Sequence, residues 1–527
     1  MVFIQQVAPV QGSLALSALV GCIPLATMFT FLAVFRVKAH WSALAALTTA
    51  LGIAVVAFGM PVGQALSAGA EGAAFGLFPI MWTVVNAVWI YTMTVEGGLF
   101  DALRRSFAGI SRDRRVQAIV VAFLFGAMLE GVAGFGTPVV IATVMLMTLG
   151  FGPVRAAGVA LVANTVVTPF GVLGTPTLTM SRVTGMPIDE VAAAAARQVP
   201  VLALVVPLVL IVLIDGRRGL RETWPVALVV GVAFAGAQFI CATFGFVGLS
   251  DIVAAIVGLG ALMVLLRFWQ PRTSTELEAA HADADSVRNT RAQTVRAYAP
   301  YLVLLAVVGI SQIGPVHRAL NAAGGQITWP GLDIAAPDGS TPSVTTFHLN
   351  WLSSPGTLVF VAGLAIIPIA GMSAADGFRC YVAALVRLRW AILTVASVLA
   401  LAYVMNLSGQ TITIGHWMAS AGVLFAVLSP VLGWLGVAAT GSNTSSNALF
   451  GALQVTAAGQ AGLNPQVLVA ANMSGGTLGT VLSPQNLALV ASEGTLAGKE
   501  GHLLRKMLPL SLIGLVALAG LVFVQAR

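Results

Sequence analysis

Charged side chains are what this sequence has least of. Its 26 Lys and Arg and 19 Asp and Glu make up 9% of the 527 residues, where a soluble domain carries about 25%. So little charge excludes a soluble globular protein. Cysteine is scarce too: Cys22, Cys241 and Cys380 stand far apart, which excludes a disulfide framework or a thiolate metal site. The six histidines and few acids form no His/Asp/Cys grouping of the kind a nucleophile–base set or metal cluster needs. That argues against an intramembrane enzyme and against any bound metal or cofactor. No basic stretch precedes the first apolar run, so a cleaved signal peptide is not expected.

What is present is apolar. Hydrophobic residues account for 58%, and the mean hydropathy is +0.94. Windows of about 20 apolar residues recur along the chain, the mark of an all-α polytopic membrane protein. Spans are expected at 13–35, 41–60, 75–95, 155–180, 199–214, 223–247, 251–268, 299–313, 355–372, 390–407, 465–490 and 506–525. Two further apolar stretches, 117–149 and 417–460, are interrupted by polar or glycine-rich breaks and read as re-entrant hairpins that enter and leave on one side. The total is about twelve crossings and two hairpins. The pI of about 9.8 does not point to nucleic acid, because the basic residues sit in short loops between apolar segments. All but four of the 26 Lys and Arg fall on one side of this arrangement; Arg182, Arg197, Arg318 and Arg527 are the exceptions. The positive side faces the cytoplasm, which puts both termini outside. Segment 270–297, with Glu276, Glu278, Asp283, Asp285, Arg288 and Arg291, reads as a cytoplasmic linker. Segment 314–353 reads as a solvated extracytoplasmic loop rather than a cap, and 374–389 as an amphipathic helix lying at the cytoplasmic interface.

The two halves carry the same punctuation. Ala163-Asn164 is followed seven residues on by Gly171 and then by Thr175-Pro176; Ala471-Asn472 is followed at the same spacing by Gly479 and then by Ser483-Pro484. Pro153 and Pro465 stand upstream of each, and a broken hairpin precedes both. An odd number of crossings separates corresponding elements, so the repeats run in opposite senses: 1–215 forms the first inverted repeat, 216–297 the connecting helices and linker, and 298–527 the second repeat. Inverted repeats with discontinuous helices are how secondary carriers build a midplane site. Proline removes an N–H and frees carbonyls, and Asn164 and Asn472 can satisfy such groups. Packing kinks are the alternative reading.

The hairpin breaks are Glu130-Gly-Val-Ala-Gly-Phe-Gly-Thr-Pro138 and Gly441-Ser-Asn-Thr-Ser-Ser-Asn447. Glu130 is the one acid this layout places well inside an apolar stretch, and an intramembrane acid is by default a functional hypothesis. It reads as a proton-coupling residue or as a structural acid bonded to the Gly134–Gly136 turn. No arginine is expected at either hairpin tip, which argues for a substrate with a single carboxylate. His416, Asn406, Ser408 and Gln410 are read either as path-lining or as interfacial and packing residues, and Tyr91 to Glu96 as an interface anchor.

These breaks, with Ala163-Asn-Thr165, Ala402-Tyr-Val-Met-Asn406, Thr440 to Phe450 and Ser483-Pro-Gln485, resemble the bacterial L-lactate permease family, which includes glycolate permeases. The likeness runs from about Phe75 to Lys499. It implies inner-membrane uptake of lactate and similar 2-hydroxymonocarboxylates (glycolate, D-lactate), driven by the proton gradient. More loosely, the layout is similar to the ion-transporter group of elevator carriers. There Ser-Asn-Thr tips, like Ser442-Asn443-Thr444, meet the substrate, and homodimers are common. The family tip usually has aspartate where Asn443 stands, so proton coupling here falls to Glu130. A Na+-coupled di- or tricarboxylate carrier is the runner-up, and a channel is the rival from another class.

A 2-hydroxy acid is an anion at pH 7 and needs fixed donors in place of its hydration. Half-helix N-termini supply free N–H groups and a positive dipole end. Thr137, Thr444, Ser445 and Ser446 are therefore expected to hold the carboxylate. Asn164, Thr175, Asn472 or Ser483 would meet the 2-hydroxyl, with Asn443 and Gln485 alongside. N-capping is the other role open to these hydroxyls.

Overall fold

The computed structural model describes residues 2–526 apart from 109, 112, 135, 272–289 and 492–499. The acids expected in the cytoplasmic linker, and Arg288, lie outside that set. Among the described residues, ten helices are long and apolar enough to cross a membrane, or eleven if the pair Pro153–Val167 and Gly171–Thr184, bent by 50°, forms one span. Among the described residues, strands are confined to two short pairs. Phe3–Ile4 runs parallel to Ile334–Ala335, and Gly325–Thr328 runs antiparallel to Thr346–Leu349.

Three expected boundaries move. The spans 199–214 and 223–247 form one helical stretch, Val199–Thr243, whose only non-helical residue is Gly216 (φ 64°, ψ −151°). The chain reverses there, and the Leu204 carbonyl packs against Gly231. The 75–95 span starts earlier, as Val62–Phe75, kinks at Phe78 and continues as Trp82–Glu96. The interfacial helix expected at 374–389 is part of one 34-residue helix, Ala374–Leu407, opened by a capping box between Ser373 and Asp376. Arg379, Arg387 and Arg389 sit on its exposed side, while Gly377, Cys380, Ala384 and Leu388 make a buried stripe at helical spacing. Charges on one face do not interrupt a helix, so no break was needed there.

Two helical hairpins lie at the centre. In the first, Arg114–Val132 is buried from Arg115 onward and is followed by Thr137–Thr148, which starts after Gly136 in left-handed backbone. Its base is held by Arg115, only 2% exposed, which donates to Asp113, Asp215 and Glu222. A buried guanidinium needs such partners to offset its lost hydration, and these tie the hairpin to the Gly216 reversal. In the second hairpin Phe425–Thr440 ends at Gly441 (φ 73°), and Ser442 caps Asn443–Ala461 by accepting from the Ser445 N–H at 3.2 Å. Gly441 is required twice over. Its φ is left-handed, and a Cβ there would stand 2.7 Å from Ser483 Oγ and 2.9 Å from Gln485 Oε1.

The broken helices pack against these tips. Pro153–Ala163 ends at Asn164 and passes through a 3-10 turn at Thr165–Val167 into Gly171–Thr184, where Val172, Leu173 and Gly174 have left-handed backbone. Pro465–Gly479 carries Asn472 within the helix and breaks later, at Thr480–Ser483, before Pro484–Ala491. Asn164 therefore caps a helix end, whereas Asn472 sits mid-helix. Gly433 and Gly475 let the second hairpin and this helix touch backbone to backbone, at Asn472 and Pro430.

Candidate functional site

A cavity of about 1130 Å³ lies where tips and broken helices meet. Gly136 comes from the first tip and Thr440 to Ser445 from the second; Asn164, Thr168, Gly171, Val172 and Pro176 come from the first broken helix, and Thr480, Pro484, Gln485 and Asn486 from the second. Exposed Arg36 and Lys38 and half-buried Glu500 also line it. The helices Thr137–Thr148, Asn443–Ala461 and Pro484–Ala491 all begin at or beside this space. The Ser445 N–H is taken by the Ser442 cap and the Thr137 N–H by the Gly134 carbonyl. Other first-turn N–H groups, such as those of Asn443 and Thr444, have no partner within the helix, so the site offers fixed donors and positive dipole ends to an anion.

Of the residues read from the sequence, Asn164, Asn443, Thr444, Ser445 and Gln485 line this cavity, and so does Glu130. Others are built into the walls. Thr175 donates to the Val172 carbonyl, Ser446 to the Gly433 carbonyl and Asn472 to Asn447 Oδ1. Ser483 is fully buried beside Gly441, and Thr137 accepts from Arg387 Nη2 at 3.4 Å. That last contact corrects the expectation that no arginine serves a tip: Arg387 reaches the first tip from a helix 250 residues away in sequence. Ser408 and Gln410 bond to each other, with Gln410 also donating to the Ala50 carbonyl, and the Asn406 carbonyl accepts from Gln5.

Glu130 is 6% exposed. Asn164 lies beside its carboxyl, Gly171 packs on it, and its Oε2 has no partner among the described residues. It is not the only interior acid. Glu71 and Asp251 are each 1% exposed. Asp251 accepts from Gln238, which also donates to the Val166 carbonyl.

Sequence reasoning missed the polar chain that locks the second tip in place. Asn443 Nδ2 donates to Thr168 Oγ1 at 2.9 Å. Asn447 Nδ2 donates to the Pro176 carbonyl at 2.9 Å, Asn472 donates to Asn447, and Gln454 donates to both Asn472 and the Ser429 carbonyl. Asn443 and Asn447 stand four apart and so share a helix face, a signal already present in the heptapeptide. Thr168 and Asn486 carried no such signal.

Long apolar helices and two helical hairpins with a cavity between their tips, lined by polar tip residues among apolar ones, define a multi-pass helical membrane protein. Residues 17–527 match the L-lactate permease family model, and the chain belongs to that family. It is 39% identical to the L-lactate permease of Bacillus subtilis over 99% of this chain and 98% of that protein. It is 40% identical to the glycolate permease GlcA of Escherichia coli (95% and 94% covered) and 37% identical to the L-lactate permease of the same organism (95% and 94%). A solved structure of Neisseria gonorrhoeae MtrF aligns with 88% of this chain and 84% of its own at 15% identity, with a TM-score of 0.47.

Proposed function

We propose that the chain is a secondary transporter importing L-lactate and related 2-hydroxymonocarboxylates by proton symport, through an elevator-type motion of the tips and broken helices. The observation that carries this reading is the meeting, in one cavity, of anion-binding helix N-termini with a buried acid, Glu130. The names of the relatives, lactate and glycolate permeases, support the substrate class.

In this reading Thr444, Ser445 and the N–H groups of the second tip take the carboxylate, and Asn164 and Gln485 take the 2-hydroxyl. Thr137 holds Arg387 near the first tip, where its charge favours an anion. Thr175, Ser446, Asn472 and Ser483 position the walls. Glu130 lines the same space, so protonation there and anion binding are coupled by proximity. Asn443 cannot ionise and serves as a donor.

Counterflow in proteoliposomes tests the carrier reading. Vesicles preloaded with L-lactate should take up labelled L-lactate transiently, with competition from glycolate and D-lactate but not from succinate. Strong competition by succinate would favour a dicarboxylate carrier, and uptake without saturation or counterflow would favour a channel.

A further inference from the structure

A second cavity, of about 620 Å³, lies back to back with the first. Leu173 and Gly174 line it, while their neighbours Gly171, Val172 and Pro176 line the tip cavity. The partition is thus the left-handed turn of the first broken helix. The far wall comes from the 314–353 segment, whose Thr346, His348, Asn350 and Ser353 face the space. That segment, expected as a plain solvated loop, therefore shapes a cavity.

Arg182 lines this second cavity and is half-buried. It has no ion pair or hydrogen bond to any described residue. Beside it Tyr403, 5% exposed, also lines the cavity, and its hydroxyl is likewise without a described partner. His348 lies close enough that burial and the Arg182 charge push its imidazole down, leaving it neutral at pH 7. The exposed Asp189 also lines the space, and Glu71 lies beyond Tyr403. An unpaired guanidinium next to an unpartnered phenol, in a space large enough for a small acid and its water, calls for an anion: arginine presents a planar donor fork matched to a carboxylate.

We propose that this cavity is an anion-binding vestibule in which Arg182 and the Tyr403 hydroxyl hold the carboxylate of a small organic acid before or after it crosses the Val172–Leu173 partition. That the acid is a 2-hydroxymonocarboxylate rests on the function proposed above; that the cavity selects anions does not.

The test is charge-selective thiol labelling of the full-length protein in proteoliposomes. Ser353→Cys is introduced with Cys22, Cys241 and Cys380 changed to alanine, and labelled with anionic or cationic methanethiosulfonates. A nearby unpaired charge should make the anionic reagent react about fivefold faster than the cationic one. The ratio should fall to about one in Arg182→Gln and be kept in Arg182→Lys, and L-lactate should slow anionic labelling only where residue 182 is basic. Equal rates for both reagents in the parent, or a ratio unmoved by Arg182→Gln, would overturn the proposal. So would failure of both reagents to label at Ser353→Cys and at a second position, Asn350→Cys. Anion selectivity that depends on Arg182 without protection by lactate would uphold the vestibule and count against lactate as substrate.

Discussion

Asn447 Nδ2 donates to the carbonyl of Pro176 at 2.9 Å, across 271 residues of sequence. Pro176 has no N–H for the Val172 carbonyl, which accepts from the Thr175 hydroxyl instead, and beside that break the second hairpin ties itself to the first broken helix through Asn447. One fully buried asparagine thereby binds together two of the elements that wall the site, the second hairpin and the first broken helix.

Asn447→Ala should remove the side-chain donor to the Pro176 carbonyl and leave Asn472 Nδ2 without its acceptor. Each stranded buried group costs about 1–3 kcal/mol, so the melting temperature in detergent should fall clearly. Asn447→Asp, which keeps an acceptor for Asn472 but loses the donor to Pro176, should be destabilised as well. Wild-type stability in either variant would mean the bond is dispensable.

Arg115→Gln is expected to destabilise the protein by about 3–5 kcal/mol, because Asp113 at 3% exposure would be left as a buried charge without its guanidinium. The double variant Arg115→Gln with Asp113→Asn should recover much of that loss. A double-mutant cycle in thermal unfolding measures it; no recovery would show that the pair is not coupled.

Glu130→Gln should abolish proton-driven accumulation while sparing counterflow, since exchange requires no net proton movement. Ser445→Ala should instead raise the KM for L-lactate by about tenfold, for the loss of one hydrogen bond to a charged group, and Gln485→Ala by less, because its bond is to the neutral 2-hydroxyl. Unimpaired accumulation in Glu130→Gln would move the proton site elsewhere, with buried Asp251 the next residue to examine.

His348 is held below its usual range by burial and by the Arg182 charge. The unfolded chain therefore binds a proton here more readily than the folded one, and stability is lost as the pH falls below about 6.5. His348→Gln should flatten the decline in melting temperature between pH 7 and pH 5. Parallel declines in the two proteins would contradict this.

Much of the membrane layout was legible because hydropathy and Gly/Pro punctuation act locally. The runs around Val423 and Ala448 and the polar heptapeptide between them could be read without partners. Glu71 escaped because Val62–Phe75 is built from Ala65, Ala68, Gly69 and Gly72, which pack closely yet raise no strong hydropathy signal. Asp251 escaped because it sits in the first turn of its helix, where an acid looks like a dipole partner. The contact of Arg387 with Thr137 and the unpaired setting of Arg182 depend on residues distant in sequence, and no local pattern records them. The matched motifs at Asn164 and Asn472 hide a difference that only backbone geometry separates, one ending a helix and the other lying within it.

The most direct measurement is L-lactate accumulation in proteoliposomes of the purified protein under an imposed pH gradient, alkaline inside, with the membrane potential clamped. Proton symport predicts transient internal lactate well above the external concentration, abolished by a protonophore. Uptake that only equilibrates, and at the same rate with or without the gradient, would contradict it.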